Sequence, residues 1–123
     1  METTFRSLIS IILLTLAVKE SYGCSLNNIT IGTTRSGREI KDMPEWNVVV
    51  INNCNCTQSS LVLSCVGFKT LEPVDPSIFL VRNNTCLLIK GNPLPAFGTV
   101  NFSYVWYPPF IMRPTSSVIG PCK

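Results

Sequence analysis

The chain has 123 residues with six cysteines and no histidine, and ten lysine and arginine residues against seven aspartate and glutamate residues give a net charge of +3. This length suits a single domain. The basic residues are spread singly rather than in a stripe with aromatic residues, so no nucleic-acid partner is predicted, and the most common general base of enzymes is missing.

Residues 1–23 are predicted to be a signal peptide. A basic start leads into an apolar run at residues 8–18, which is shorter than the roughly 20 residues that a membrane-spanning helix needs. Ser21 and Gly23 then supply the small residues that precede a signal-peptidase cleavage site. We expect cleavage after Gly23, secretion of residues 24–123 as one cysteine-rich domain, and no membrane anchor; an uncleaved anchor is the less favoured alternative.

All six cysteines lie in the expected mature chain. They are Cys24, Cys54, Cys56, Cys65, Cys86 and Cys122. An even number of cysteines in a short secreted chain predicts a disulfide framework, but the pairing stays open because six cysteines allow about fifteen connectivities. A zinc site is less favoured, since the chain lacks histidine and the spacing of paired zinc knuckles, so neither a metal nor a cofactor is predicted.

Runs typical of strands alternate with turn residues along the mature chain. The predicted strands cover residues 28–31, 46–51, 61–68, 78–81, 86–89 and 100–106, with a last short run at 118–119. The turn signals between them lie at residues 41–44, 57–60, 72–76, 83–84 and 91–95. Short strands at this spacing are typical of all-β sandwiches and barrels, and we predict a disulfide-stabilised antiparallel β-sandwich.

Four Asn-x-Ser/Thr sequons are candidate glycosylation sites. They begin at Asn28, Asn55, Asn83 and Asn101. Asn83 lies in a predicted turn, and Asn28 and Asn101 lie on the polar faces of predicted strands, where a glycan can point to solvent. Asn55 ranks last because it stands between two cysteines.

Aromatic residues are the candidate partner-binding residues. They are Trp46, Trp106, Tyr107 and Phe110. For Trp106 core packing is the favoured alternative, because it follows Val100, Phe102 and Tyr104 at strand spacing. Tyr107 and Phe110 flank two prolines in a predicted exposed loop, and such a stiffened loop loses little entropy on binding. Aromatic faces also suit sugar rings, so a cell-wall polysaccharide is an alternative partner.

The carboxylates offer little for catalysis. Those of the expected mature chain are Glu39, Asp42, Glu45, Glu72 and Asp75. Glu45 with Glu72 or Asp75 could supply the pair that a glycosidase needs, but all five lie in polar segments near prolines, where solvated or capping roles are favoured. We therefore predict that the protein is not an enzyme.

Short motifs accompany the cysteines through the mature chain. They are Cys24-Ser25 with Ile29-Thr30-Ile31, Pro44-Glu45-Trp46-Asn47-Val48, Val50-Ile51-Asn52-Asn53-Cys54, Leu63-Ser64-Cys65-Val66-Gly67-Phe68, Val74-Asp75-Pro76, Cys86-Leu87-Leu88, Gly91-Asn92-Pro93-Leu94, Phe102-Ser103-Tyr104-Val105-Trp106 and Cys122. With these motifs in this order, the chain resembles the plant tapetum determinant family of small secreted proteins. The likeness covers essentially all of residues 24–123.

The resemblance implies a cysteine-rich ligand in the plant extracellular space, the apoplast. The best-known family member is perceived by a leucine-rich-repeat receptor kinase and directs cell differentiation in anthers, so a receptor-kinase ectodomain is the expected partner. The resemblance also implies a β-sandwich related to carbohydrate-binding modules. Here the predicted signal peptide abuts Cys24, whereas typical signalling members have a longer preceding segment, so we expect a homologue rather than the founding member. An apoplastic hydrolase inhibitor is a third hypothesis.

Overall fold

The computed structural model describes residues 23–123, which form seven strands and two short 3₁₀ helices. The strands are β1 (Ile29–Ile40), β2 (Met43–Asn52), β3 (Cys56–Ser64), β4 (Phe79–Arg82), β5 (Thr85–Leu88), β6 (Thr99–Val105) and β7 (Arg113–Cys122). The 3₁₀ helices are Leu26–Asn28 and Ile89–Gly91. The predicted signal peptide, residues 1–23, lies outside the described residues apart from Gly23. Within the described range no helix has the length and hydrophobicity needed to cross a bilayer.

The strands form two antiparallel sheets. One has the order β1-β2-β6 and the other the order β4-β5-β3-β7. On β2, Val48 and Val50 are buried, and their partners Phe102 and Val100 on β6 are buried as well. Leu61 and Leu63 of β3 supply the facing layer. The predicted all-β class and antiparallel sandwich are therefore confirmed.

An aromatic cluster fills one end of the core between the sheets. Phe79 stacks on Phe102 with ring centroids 4.3 Å apart. Phe68 meets both Phe79, at 5.0 Å, and the buried ring of Tyr104, at 5.3 Å, edge to face. Aromatic pairs at these distances add to the free energy gained by burial, so this cluster anchors the two sheets to each other.

Three disulfides use all six cysteines, as predicted, and the structure supplies the pairing. The bridges are Cys24–Cys54, Cys56–Cys122 and Cys65–Cys86. Cys65 and Cys86 are buried in the main core, whereas Cys122 is exposed at the end of β7. The bridges therefore fasten the core and both ends of the described chain.

A buried polar network lies beside two of these bridges. The two N–H groups of the Asn52 amide are shared among the backbone carbonyls of Cys56, Leu94 and Pro95, whose oxygens lie 2.8, 3.1 and 3.1 Å from the amide nitrogen. The Gln58 amide donates to the Asn52 side-chain oxygen at 3.3 Å and to the Ser25 carbonyl at 3.1 Å. Both amides are fully buried.

Two predicted turns are partly wrong. Residues 57–60, predicted as a turn, lie within β3, because Gln58 points into the core and Ser60 absorbs the bend with a φ of 50°. Met43 and Pro44 belong to β2 rather than to the preceding turn, and Pro44 still accepts a hydrogen bond from the Trp106 N–H through its carbonyl.

Several strand limits also differ from the prediction. Asn28 belongs to the first 3₁₀ helix rather than to β1, because its side-chain oxygen accepts a 2.8 Å hydrogen bond from the Ser25 N–H. The last strand extends far beyond residues 118–119 to Arg113–Cys122. Its two prolines hid it in the sequence, but proline is tolerated on an edge strand.

Candidate interaction surface

An apolar cleft of about 320 Å³ opens where β1 meets the segment that leads into β7. It is lined by Ile31, Thr33, Trp46, Pro109, Phe110, Ile111 and Met112. Ile31 and Thr33 lie opposite Val50 and Val48, so they share the core-facing side of the sheet. The cleft is therefore a stretch of core surface that none of the seven described strands covers.

The indole of Trp46 forms one wall of this cleft and is held in place from two sides. Its Nε1 donates a 2.8 Å hydrogen bond to the Trp106 carbonyl. The Arg35 guanidinium lies 5.3 Å from its ring centroid, which is within the range of a cation–π interaction. Trp106 is half-buried, with the Lys69 ammonium 6.0 Å from its ring. Both tryptophans are therefore half-buried, and each has a cation near its ring.

The segment from Tyr107 to Ile111 separates into exposed and buried side chains. Tyr107 is 58% exposed and Ile111 is 80% exposed. The prediction that Phe110 projects from an exposed loop is wrong, because its ring packs 5.2 Å from Phe68 and 5.7 Å from Tyr104. Its half-buried side chain closes the floor of the cleft.

The Phe110 backbone explains why its side chain turns inward. Its N–H donates a 2.8 Å hydrogen bond to the hydroxyl oxygen of Tyr104. Burial raises the pKa of Tyr104, and this hydrogen bond opposes the rise. The hydroxyl therefore stays protonated at neutral pH and fixes the loop from inside the core.

Replacing Phe110 with alanine is expected to lower the free energy of unfolding by about 2–3 kcal/mol, because the change empties the space against two core rings. Replacing the exposed Tyr107 with alanine is the matched control and is expected to change it by less than about 0.5 kcal/mol. Urea denaturation of both variants measures the difference. Equal losses would mean that Phe110 does not belong to the core.

The sequence prediction missed Ile111, which is the most exposed large apolar side chain among the described residues. Its position directly after the aromatic loop at residues 107–110 was the sequence feature that could have identified it as a candidate binding residue. The structure brings Trp46, Phe110 and Ile111 together at the cleft, while Tyr107 lies outside its lining and Trp106 contributes its carbonyl to hold Trp46.

Arg38 forms ion pairs with two carboxylates that the sequence analysis considered as a catalytic pair, Glu45 and Glu72. Its guanidinium lies 2.7 Å from Glu45 and 2.9 Å from Glu72. The hydrogen bonds from Arg38 hold the pKa of Glu72 below its ordinary value. A lowered pKa keeps the Glu72 carboxyl ionised at neutral pH, so Glu72 does not match the acid that glycoside hydrolysis requires.

Replacing Arg38 with glutamine is expected to raise the pKa of Glu72 toward its ordinary value, which carboxyl chemical shifts in a pH titration would measure. The folded-state pKa of Glu72 is depressed, so the Arg38–Glu72 ion pair contributes to stability above the ordinary pKa of glutamate. It is lost as the pH falls through the folded-state value. Asp75, whose pKa is lowered by hydrogen bonds from Ser77, is the internal control and should not move.

The sequons differ in their surroundings. Asn83 is exposed in the turn between β4 and β5, and Asn101 is exposed on β6 beside Phe102, whose ring points inward. Asn55 is exposed, but its amide nitrogen donates a 3.2 Å hydrogen bond to the Lys123 carbonyl. Asn28 is half-buried in its 3₁₀ helix. Glycosylation at these four sites stays a prediction.

Three sulfur atoms lie close enough together to resemble a metal site. Those of Cys24, Cys54 and Cys56 are within 4.8 Å of one another. Each of them is part of a disulfide, whereas a cysteine binds a metal ion as its thiolate. This cluster is therefore structural in the oxidised protein.

Comparison with known proteins places these features in a family context. Residues 25–120 match the family model described as "Tapetum determinant 1, C-terminal". The chain is similar to TPD1 protein homolog 1B of Oryza sativa subsp. japonica, with 32% identity over 83 residues, which cover 66% of this chain and 49% of the relative. It is also similar to TPD1 protein homolog 1A of the same organism, with 30% identity over 92 residues, covering 67% of this chain and 41% of the relative.

The chain thus matches less than half the length of these curated relatives. No solved structure gives a significant match. The likeness to carbohydrate-binding modules accordingly stays a prediction.

Proposed function

Because the chain belongs to the tapetum determinant family, we propose that it is a secreted signalling ligand recognised by the ectodomain of a plant leucine-rich-repeat receptor kinase. The role proposed for it is in cell differentiation, as in anther development. The observation that carries this proposal is the apolar surface of the cleft, which includes the side chain of Ile111, 80% of which is exposed. Exposed apolar surface of this kind marks protein interaction sites.

The rigidity of this surface supports a binding role. Trp46 is fixed by its hydrogen bond to the Trp106 carbonyl, and Phe110 is fixed by the Tyr104 hydroxyl. A surface that is already ordered loses little conformational entropy when a partner binds. Aromatic residues that lie in such a surface are also frequent hot spots of binding energy.

The charged side chains near the cleft favour binding of a protein partner over catalysis. The Glu45 and Glu72 carboxylates are both engaged by Arg38, while Arg35 lies over Trp46 at the end of the cleft. The cleft therefore has a basic rim and apolar walls. Such a site favours an acidic and apolar partner surface.

Biolayer interferometry against a panel of leucine-rich-repeat ectodomains tests this proposal. The secreted, oxidised chain is immobilised, and reduced and alkylated protein serves as the control for folded structure. Binding by at least one ectodomain with a Kd in about the micromolar range or tighter is expected. No binding of that strength across the panel would overturn the proposed function.

A cell-wall carbohydrate-binding module is the second candidate. The exposed ring of Tyr107 favours it, because aromatic faces stack on sugars. The two tryptophans weaken it, since Arg35 and Lys69 already lie near their rings. Retardation in polysaccharide affinity gels, abolished by Tyr107→Ala, would favour this candidate over the receptor ligand.

A further inference from the structure

Four strands lie at the edges of the two sheets: β1 and β6 in one, β4 and β7 in the other. Natural proteins usually block such edges with short strands, prolines or covering loops, because unpaired backbone groups attract other strands. Three of the four edges carry at least one such protection. β4 has only four residues, and β7 carries Pro114 and Pro121. At the end of β6, the Val105 carbonyl accepts a hydrogen bond from the Leu71 N–H, and the Val105 N–H donates one to the Thr70 hydroxyl oxygen, both at 2.9 Å.

The first half of β1 has none of these protections. Residues 29–34 contain no charge and no proline, and β-branched residues predominate. Within residues 23–123, their strand partners all lie on β2, and no other backbone hydrogen bond reaches them. The bulge between Arg35 and Glu39 distorts only the second half of the strand. The outer edge of residues 29–34 is therefore free to pair.

The cleft runs along this open edge. Ile31 and Thr33 contribute to its lining from β1, and Ile111 faces them from the other wall. A strand added outside β1 would place alternate side chains on the core-facing side of the sheet. There it would cover the cleft and bury apolar surface as well as pairing backbone groups.

Arg35 gives the open edge a charge preference. It follows the free stretch directly and contacts Trp46. The ion pairs found within residues 23–123 involve Arg38 rather than Arg35. A partner carboxylate could therefore pair with Arg35 without displacing an existing one.

We propose that the outer edge of Ile29–Thr34 binds an extended segment of a partner protein as an additional strand. This segment places a large apolar side chain in the cleft and an acidic side chain at Arg35. The proposal deepens the ligand function above and rests on it, since the segment belongs to the protein that recognises this chain. In strand addition the backbone hydrogen bonds supply affinity, and pockets for alternate side chains supply specificity.

Short synthetic peptides test this site without a receptor. They alternate threonine and valine around a central leucine and carry Asp, Asn or Lys near the end that would reach Arg35. Fluorescence polarisation against the secreted, oxidised chain should give the tightest binding for the Asp peptide and the weakest for the Lys peptide. Hydrogen exchange should show that the bound Asp peptide protects amides of residues 29–34.

Two variants make the test specific. Thr33→Lys places an inward-facing charge on the edge, a natural device against strand pairing, and is expected to weaken the Asp peptide by about tenfold or more. Ser116→Lys, on the exposed side of β7, is the matched control and should leave binding unchanged. Arg35→Glu should reverse the preference from the Asp peptide to the Lys peptide. Equal effects of the two lysine variants, or no new protection of residues 29–34, would overturn the proposal.

The outcomes separate this inference from the proposed function. If an ectodomain binds the wild type and Thr33→Lys equally, the strand inference is wrong and the ligand function stands. If peptides bind at β1 but no ectodomain binds, the edge site stands and the receptor assignment is wrong. A dimer in sedimentation velocity that Thr33→Lys abolishes would identify a second copy as the occupant and overturn the proposal.

Discussion

Replacing Asn52 with alanine is expected to lower the free energy of unfolding by about 2–4 kcal/mol, because it removes several buried hydrogen bonds at once and empties the space that the amide fills. The Asn52 side chain has no exposed surface and serves three backbone carbonyls. It also accepts the hydrogen bond from Gln58. Urea denaturation with the disulfides intact measures the change.

Asn53→Ala is the matched control for this prediction. Asn53 is the next residue and has an exposed side chain, so its loss is expected to change the free energy of unfolding by less than about 0.5 kcal/mol. A loss at Asn52 as small as that at Asn53 would contradict the account. It would mean that water replaces the amide at no cost and that the network does not stabilise the fold.

Removing the Cys65–Cys86 bridge by a double alanine substitution is expected to cost about 3–4 kcal/mol. The bridge joins residues 21 apart in sequence, and closing a loop of that length restricts the unfolded chain by roughly 3 kcal/mol. The two sulfur atoms are also buried in the main core, so their removal adds lost packing. Thermal and urea denaturation of the oxidised variant measure the change.

Peptide mapping of the double variant supplies the control, since Cys24–Cys54 and Cys56–Cys122 must remain intact for the comparison to hold. A loss below about 1 kcal/mol would contradict the prediction. In that case the aromatic cluster around Phe68 and Phe79 would hold this end of the sandwich without the covalent link.

Local pattern predicted the elements whose burial follows strand alternation. On β6, Val100, Phe102 and Tyr104 alternate with the exposed Asn101 and Ser103. The burial of such a strand can be predicted from its own sequence, because every second side chain faces the core.

Local pattern failed where burial depends on distant partners. Gln58 lies in a polar run that reads as a turn, yet it is buried because Asn52, Ser25 and Ser117 satisfy its amide. Ser117 lies 59 residues further along the chain. Such a network becomes visible only when the strands that carry it are placed side by side.

The candidate surface was only partly predicted, because the orientation of its side chains also depends on distant partners. The sequence located Trp46 and the segment around Phe110, and the structure places both at one cleft. It could not show that Phe110 turns inward while Ile111 turns outward. That choice depends on the Tyr104 hydroxyl, which holds the Phe110 N–H from inside the core.

The proposed function requires that the cleft and its rim form the surface that a receptor recognises. Its most direct test compares Ile111→Asp with Val118→Asp in binding to an ectodomain that recognises the wild type. The two side chains are comparably apolar and are 80% and 59% exposed, but only Ile111 lines the cleft. We predict that Ile111→Asp weakens binding by about tenfold or more, while Val118→Asp leaves it unchanged. Equal binding by both variants, or a larger loss at Val118, would contradict the claim.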